Sequence, residues 1–245
     1  MKGIILAGGR GVRLQPLTKV ISKALLTVYN KPLIMYPLQT LLTAGIKDIL
    51  IIVPPDRVKD FKSLLGDGKD VGAKFSYKIQ KAANGMSGAA MLGEKFAGKD
   101  DVAIICADNI FEDDFSAAVK SFKSGCKIFI KRVPDPERLG VVKYGKNGKP
   151  IDLIEKPKEF VSNDGITGFY IYDNRVFEVA KSLKPSGRGE LEITDLHRWF
   201  LNKGEIEIEK VKGRWIDAGT FDSLLEANIF IAQKEGSNFA KKCAI

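Results

Sequence analysis

The chain has 245 residues, 44% hydrophobic and 28% charged, proportions that exclude a disordered tail protein or a collagen-like repeat. Its 39 Lys and Arg against 30 Asp and Glu leave a formal charge of +9, which favours anionic partners, whether nucleic acids, phosphorylated metabolites or acidic membranes. A chain of this length buries roughly 70–75% of its unfolded surface. With no internal repeat, low-complexity tract or long linker, it reads as one domain over residues 1–245.

The first apolar run, Gly3 to Ala7, is too short before Arg10 and Arg13 to be the apolar region of a signal peptide, and nowhere do ~18 apolar residues run uninterrupted. Cys106, Cys126 and Cys243 are widely spaced and form no C-x-x-C pair, so they support neither a disulfide framework nor a zinc knuckle. A cytoplasmic protein without membrane attachment is expected.

Along the chain, buried strands are expected at Ile4 to Ala7, Ile49 to Val53, Phe75 to Ile79, Val102 to Cys106 and Ile128 to Ile130. Helical spacing over Leu33 to Ala44 and Val58 to Leu65, each ended by a glycine, Gly45 or Gly66, predicts helices between them. Continuous rather than alternating apolar strands imply burial on both faces. The expected fold is therefore α/β, a three-layer α/β/α sandwich around a mixed, largely parallel sheet. After Val133-Pro134-Asp135-Pro136 the pattern alternates over Gly140 to Tyr144, Ile151 to Ile154 and Phe169 to Tyr172, with a turn at Lys146-Asn147-Gly148, which predicts added antiparallel hairpins.

Several positions carry chemistry. Gly8, Gly9 and Gly11 follow the first strand, where backbone N–H groups can approach phosphate oxygens; a tight turn needing positive φ is the alternative. The spacing fits neither G-x-G-x-x-G nor G-x-x-x-x-G-K-[ST], and Arg13 and Lys23 lie nearby. Asp108 ends the run Val102 to Ala107, at the carboxyl end of a strand, where ligands bind in open α/β sheets. It suits a Mg²⁺ ligand or a turn cap with Asn109. Asp217, before Ala218-Gly219-Thr220, suits a second ligand or a helix cap, and two such carboxylates with substrate phosphates can hold Mg²⁺. Glu155-Lys156-Pro157 reads as a hydroxyl acceptor beside a fixed ammonium, or as exposed charge before a turn. His197, the only histidine, lies in a helix-like stretch and reads as structural, which leaves no Ser/His or Cys/His pair.

In order, Lys2 to Gly9 with Gly11 and Arg13, Ser22-Lys23, Lys31 to Ile34, Leu65 to Gly68, Asp108-Asn109, Asp135 to Arg138, Gly140 to Val142, Glu155 to Pro157, Thr167-Gly168, Gly189 to Asp195 and Asp217 to Thr220 resemble the sugar nucleotidyltransferases, in particular their glucose-1-phosphate thymidylyltransferase branch. The resemblance covers nearly the whole chain. It implies a Rossmann-like fold with a nucleotide-binding half at about residues 1–130, a sugar-phosphate-binding half at about 131–235, and a short tail. It also implies transfer of a nucleotidyl group, from dTTP first or UTP second, to a sugar 1-phosphate, with Mg²⁺ as cofactor.

Carried over by similarity, Gly8, Gly9 and Gly11 hold the nucleotide, with Arg13 and Lys23 on the departing pyrophosphate. Gln80 and Gly85 hold the base, and Asp108 and Asp217 the metal. Lys156 neutralises the sugar phosphate, while Gly140, Glu155 and the Ile166 backbone hold sugar hydroxyls. The chain departs from the family pattern at Val12, Thr27, Ala107 and Gly88, the last in the segment over the base. It also ends without the C-terminal extension that longer members use for regulation, so feedback control is not expected. Small-molecule substrates and a homo-oligomer are expected. A sensing homologue without turnover is the alternative that Gly88 motivates, and nucleic-acid binding, resting on charge alone, is not expected.

Overall fold

The computed structural model describes residues 1–82 and 85–236. Its strands are β1 (Lys2–Leu6), β2 (Thr27–Val28), β3 (Lys31–Pro32), β4 (Asp48–Val53), β5 (Lys74–Ile79), β6 (Val102–Cys106), β7 (Asn109–Phe111), β8 (Cys126–Arg132), β9 (Gly140–Tyr144), β10 (Pro150–Glu155), β11 (Asp164–Tyr172), β12 (Ile206–Lys210) and β13 (Trp215–Asp217). The helices are α1 (Met35–Thr43), α2 (Val58–Leu65), α3 (Gly85–Met91), α4 (Glu94–Ala97), α5 (Ser116–Ser121), α6 (Val176–Ser182), α7 (Ile193–Lys203) and α8 (Phe221–Lys234).

Four strands run parallel in the order β5-β4-β1-β6. Because consecutive side chains of a strand point to opposite faces, Ile5, Ile51 and Ile105 enter one core while Ile4, Ile52 and Ile104 enter another. That two-sided burial is what the continuous apolar runs encode, and helices cover both faces as expected. Gly45 (φ +85°) and Gly66 (φ +60°) sit just beyond the ends of α1 and α2, taking backbone angles that a β-carbon disfavours.

β11 is antiparallel to β6 on one edge and to β8 on the other, so the second half of the chain continues the sheet of the first. Its ladder with β8 shifts register between Ile166 and Tyr170. β9 pairs β10 in the expected hairpin, and joins β11 at Gly165. β11 starts earlier than the alternation predicts, because Asp164 to Gly168 pack against β8 and β9 rather than facing solvent. Three aromatic rings, Phe115, Phe129 and Phe169, interlock at centroid distances of 4.6–5.2 Å. Truncating one such buried ring to alanine costs about 3–5 kcal/mol.

β7 and β13 form a separate two-stranded ladder roofed by α8, with Ile110, Ile216, Ala227 and Ile231 as its own small core. Among the described residues no helix is long and apolar enough to cross a membrane. Cys243 and the tail from residue 237 lie outside the described residues. Cys106 and Cys126 are free thiols.

Candidate active site

Between β1 and β6 the connections leave in opposite directions along the sheet, since β4 follows β1 on one side and β6 flanks it on the other. Such a switch point opens a crevice beyond the strands' carboxyl ends. A cleft of about 470 Å³ lies there. Gly8, Gly9, Gly11, Arg13, Lys23, Gln80, Gly85, Asp108, Gly140, Glu155, Lys156, Ile166 and Asp217 all line it, so every site position read from the sequence converges on one cavity.

The glycine loop is more specific than a general need for positive φ. Only Gly11 has it (φ +61°). At Gly8 a β-carbon would lie 1.9 Å from Gln80 Oε1, so the missing side chain is what lets Gln80 lie across the end of β1. Gly85 (φ +89°) opens α3, and a β-carbon there would lie 2.6 Å from the Leu191 carbonyl oxygen. Ser87 adds a hydroxyl hydrogen bond of 3.0 Å to the Glu192 carbonyl, which ties the nucleotide-side helix to the start of α7. The segment that the resemblance places over the base is helical from Gly85 onward.

Asp108 and Asp217 meet through backbone pairing. Asp217 lies opposite Asn109 in the β7–β13 ladder, and the Ala218 N–H donates to the Asp108 carbonyl at 2.9 Å. Neither carboxylate caps a helix. Thr220 caps α8 instead, accepting from the Ser223 N–H at 3.2 Å while its own N–H donates to Ser223 Oγ at 3.1 Å. Lys23 Nζ donates to Asp108 Oδ2, and Asn109 Nδ2 to Oδ1 at 3.1 Å. Burial works to raise the Asp108 carboxyl, but the Lys23 ammonium overrides it and holds the group below its usual range. Asp217 is pushed up to about 6, by burial first and the neighbouring Asp108 charge second. Its Oδ1 is buried without a hydrogen-bond partner, and Arg13 Nη2 stands 3.9 Å from its Oδ2. A β-carbon at Gly219 would press on both, 2.7 Å from Arg13 Nη2 and 2.9 Å from Asp217 Oδ1.

On the sugar side, Glu155 ends β10 and is not exposed charge. Its Oε2 accepts from Thr194 Oγ1 and its Oε1 from Arg188 Nη2 at 3.2 Å. Gly140 makes room for this pair, since a β-carbon would lie 2.9 Å from Thr194 Oγ1 and 3.3 Å from Glu155 Oε2. Lys156 takes a left-handed backbone (φ +42°), a conformation costing of order 1–3 kcal/mol for a non-glycine residue. Its N–H donates to the Leu139 carbonyl at 2.9 Å, which holds the strained residue in place.

A family model described as nucleotidyl transferase matches residues 2–234. The chain belongs to the nucleotidyltransferase family. It is 47% identical over 238 residues to a glucose-1-phosphate thymidylyltransferase from Neisseria meningitidis serogroup A, spanning 94% of this chain and 82% of that one. It superposes with TM-score 0.89 at 45% identity, covering 94% of each chain, on a crystal structure from Bacillus anthracis assigned as a glucose-1-phosphate thymidylyltransferase. A UDP-glucose pyrophosphorylase complexed with UDP-glucose shares the fold, with TM-score 0.83 at 24% identity over 95% of this chain and 98% of that one.

Three more cleft residues of this nucleotidyltransferase, Asn109, Thr194 and Arg138, carry no binding or catalytic role in the sequence reading. Asn109 Oδ1 accepts from the Gly168 N–H at 2.9 Å and from Trp215 Nε1 at 2.6 Å, so one amide joins β7, β11 and β13 beneath the two aspartates. All three residues lie within the motif series that carries the resemblance, which was their only sequence signal. Their partners are 59 to 106 positions away in the chain for Asn109, a separation no local pattern can register.

Proposed function

We propose that this nucleotidyltransferase joins dTTP to glucose 1-phosphate, giving dTDP-glucose and pyrophosphate. The observation that carries the reading is one cleft in which Asp108, Asp217, Arg13 and Lys23 face Glu155 and Lys156. The base and the sugar are those in the names of the Neisseria and Bacillus relatives.

The chemistry asks little of side-chain acid–base groups. A sugar phosphate oxygen is already ionised at neutral pH and attacks the α-phosphorus directly, so catalysis consists of alignment and charge neutralisation. His197 is buried within α7 and does not line the cleft, as such a mechanism allows. In this reading the backbones of Gly8, Gly9 and Gly11 hold the nucleotide, and Arg13 and Lys23 draw charge from the departing pyrophosphate. Gln80 and Gly85 hold the pyrimidine. Gly140, Glu155 and the Ile166 backbone orient the sugar, and Lys156 neutralises its phosphate.

The donor set fits Mg²⁺. Two buried carboxylates repel one another, one oxygen of Asp217 has no partner, and among the described residues no third carboxylate, histidine or cysteine joins them as a metal cluster. An ion that binds through one or two carboxylates plus phosphates needs no more. Asp108 and Asp217 would hold it, and when bound it neutralises phosphate charge. A homo-oligomer in the cytoplasm completes the proposal.

The test is pyrophosphate release with Mg²⁺ over a grid of dTTP, UTP, CTP, GTP and ATP against glucose, galactose, mannose and N-acetylglucosamine 1-phosphates. Release confined to dTTP with glucose 1-phosphate supports the reading. Release with UTP alone, or with none of the pairs, overturns it.

A further inference from the structure

Arg138 has no role in the reaction as derived so far, yet it lines the cleft beside Gly140. It closes the single 3-10 turn Pro136–Arg138 that leads into β9. Its Nε donates to Asp135 Oδ2 at 2.6 Å. Among the described residues that is the only hydrogen bond or ion pair the guanidinium makes, and both terminal nitrogens are left without a protein partner. Arg198, on α7, shows the contrast: its Nε, Nη1 and Nη2 are all engaged, by Asp152, Asp195 and the Leu153 carbonyl. An arginine anchored through Nε alone presents a rigid two-pronged donor, the geometry that matches two oxygens of one phosphate.

Its position narrows the target. Arg138 and Asp217, one of the proposed metal carboxylates, line the same cleft, and the carbonyl of Leu139, the next residue, accepts the Lys156 N–H at 2.9 Å, which holds Arg138 near the residue assigned to the sugar phosphate. Arg138 therefore stands where the two substrates join. Of the other cleft cations, Lys23 meets Asp108, Arg13 meets Asp217 and Lys156 meets Glu155, while Arg10 lies in the glycine loop that follows β1.

We propose that Arg138 is a further catalytic residue, its two terminal amino groups binding oxygens of the α-phosphoryl group during transfer. In that step a sugar phosphate oxygen forms a bond to the α-phosphorus as the bond to the bridging oxygen of pyrophosphate breaks. The electron pair leaves with pyrophosphate, and no proton or redox partner is required. Charge on the equatorial oxygens is stabilised by the paired N–H donors, and Asp135 is the positioning residue that aims them. The inference rests on the nucleotidyl transfer proposed above.

The experiment compares the unaltered chain, Arg138→Ala and Arg138→Lys by pyrophosphate release with Mg²⁺, dTTP and glucose 1-phosphate, alongside thermal melting. Removing a transition-state donor of this kind lowers rates by about 10²–10³-fold, so Arg138→Ala is expected to lose kcat by at least about 100-fold with both KM values within about threefold. Guanidinium at tens of millimolar is expected to restore at least about tenfold of the Arg138→Ala rate, a rescue that a structural role would not produce. Arg138→Lys, which keeps the charge but loses the fork, is expected to fall by about tenfold or more while melting cooperatively. If Arg138→Ala does not fold, the lysine variant decides. Activity of Arg138→Ala within threefold of the unaltered chain, or of Arg138→Lys equal to it, overturns the inference and leaves the overall reaction standing. Silence of the unaltered chain overturns both.

Discussion

Asp217 is paired with Asn109 across a ladder only three residues long, and this is what brings two carboxylates 109 positions apart in the sequence into one cleft. The ladder makes few hydrogen bonds, and the apolar contacts of Ile110 and Ile216 with α8 provide its hold. The cleft's most charged corner is therefore held by a small hydrophobic core behind it.

Asp108→Asn and Asp217→Asn are each expected to abolish measurable pyrophosphate release, a loss of about 10³-fold or more for groups that hold a charge-neutralising cation. Their effects on stability should differ. Asp217 is destabilised by burial and by Asp108, so Asp217→Asn is expected to raise the melting temperature of the metal-free protein at pH 7.5. Asp108→Asn removes the partner of Lys23 and should lower it. Retained turnover in either variant would rule out the metal assignment.

Gly8→Ala separates base recognition from folding. The added methyl group meets Gln80 along its length, Oε1 at 1.9 Å, Cδ at 2.9 Å and Cβ at 3.0 Å, so the amide must swing away while the Cβ gives by a few tenths of an ångström. We expect KM for dTTP to rise by about tenfold, the value of one hydrogen bond, with the melting temperature nearly unchanged. A variant with normal KM would show that Gln80 does not touch the base.

Thr194→Val keeps the shape of a fully buried side chain but removes the donor to Glu155 Oε2. Glu155 then keeps a single hydrogen bond, from Arg188 at 3.2 Å, beside the Lys156 ammonium at 4.0 Å. The expected result is a rise of about tenfold in KM for glucose 1-phosphate, corresponding to about 1–1.5 kcal/mol, with KM for dTTP unaffected. Equal rises for both substrates would mean a general loss of structure instead.

His197 provides a test through pH. Burial pushes its pKa down to about 3, while Tyr172 Oη lies 2.5 Å from Nε2 and Nδ1 is buried without a partner. The unfolded chain takes up the proton near its ordinary value of 6.5 and the folded chain resists it, so stability is complete above that pH and falls below it. Between pH 6.5 and 5 the loss from this group is about 2 kcal/mol. His197→Gln, which can still meet Tyr172, is expected to flatten the denaturation midpoint over that interval. An unchanged pH profile would place the acid sensitivity elsewhere.

Much of the frame was legible in the sequence, because its signals are local. Ile49 to Val53 and Val102 to Cys106 are apolar on both faces, and five-residue runs this rich in Ile and Val read as covered strands. The glycines ending α1 and α2 mark those ends for equally local reasons. The ordered motif series also holds ten of the assigned positions that share the cleft, and the family resemblance added Gln80, Gly85 and Ile166. Tertiary structure decided what these residues do to one another. The aspartate at 217 could equally have capped α8, and only the Thr220–Ser223 capping box, by satisfying the helix end, leaves its carboxylate to Asp108. Whether Glu155 is exposed depends on Thr194, 39 positions on. The free prongs of Arg138 depend on how the 3-10 turn at Pro136 aims it. Hydrophobic pattern and backbone preference act over a few residues and so are written in the chain. Charge pairing, burial and orientation arise only when distant segments are packed together, and these make the cleft a site.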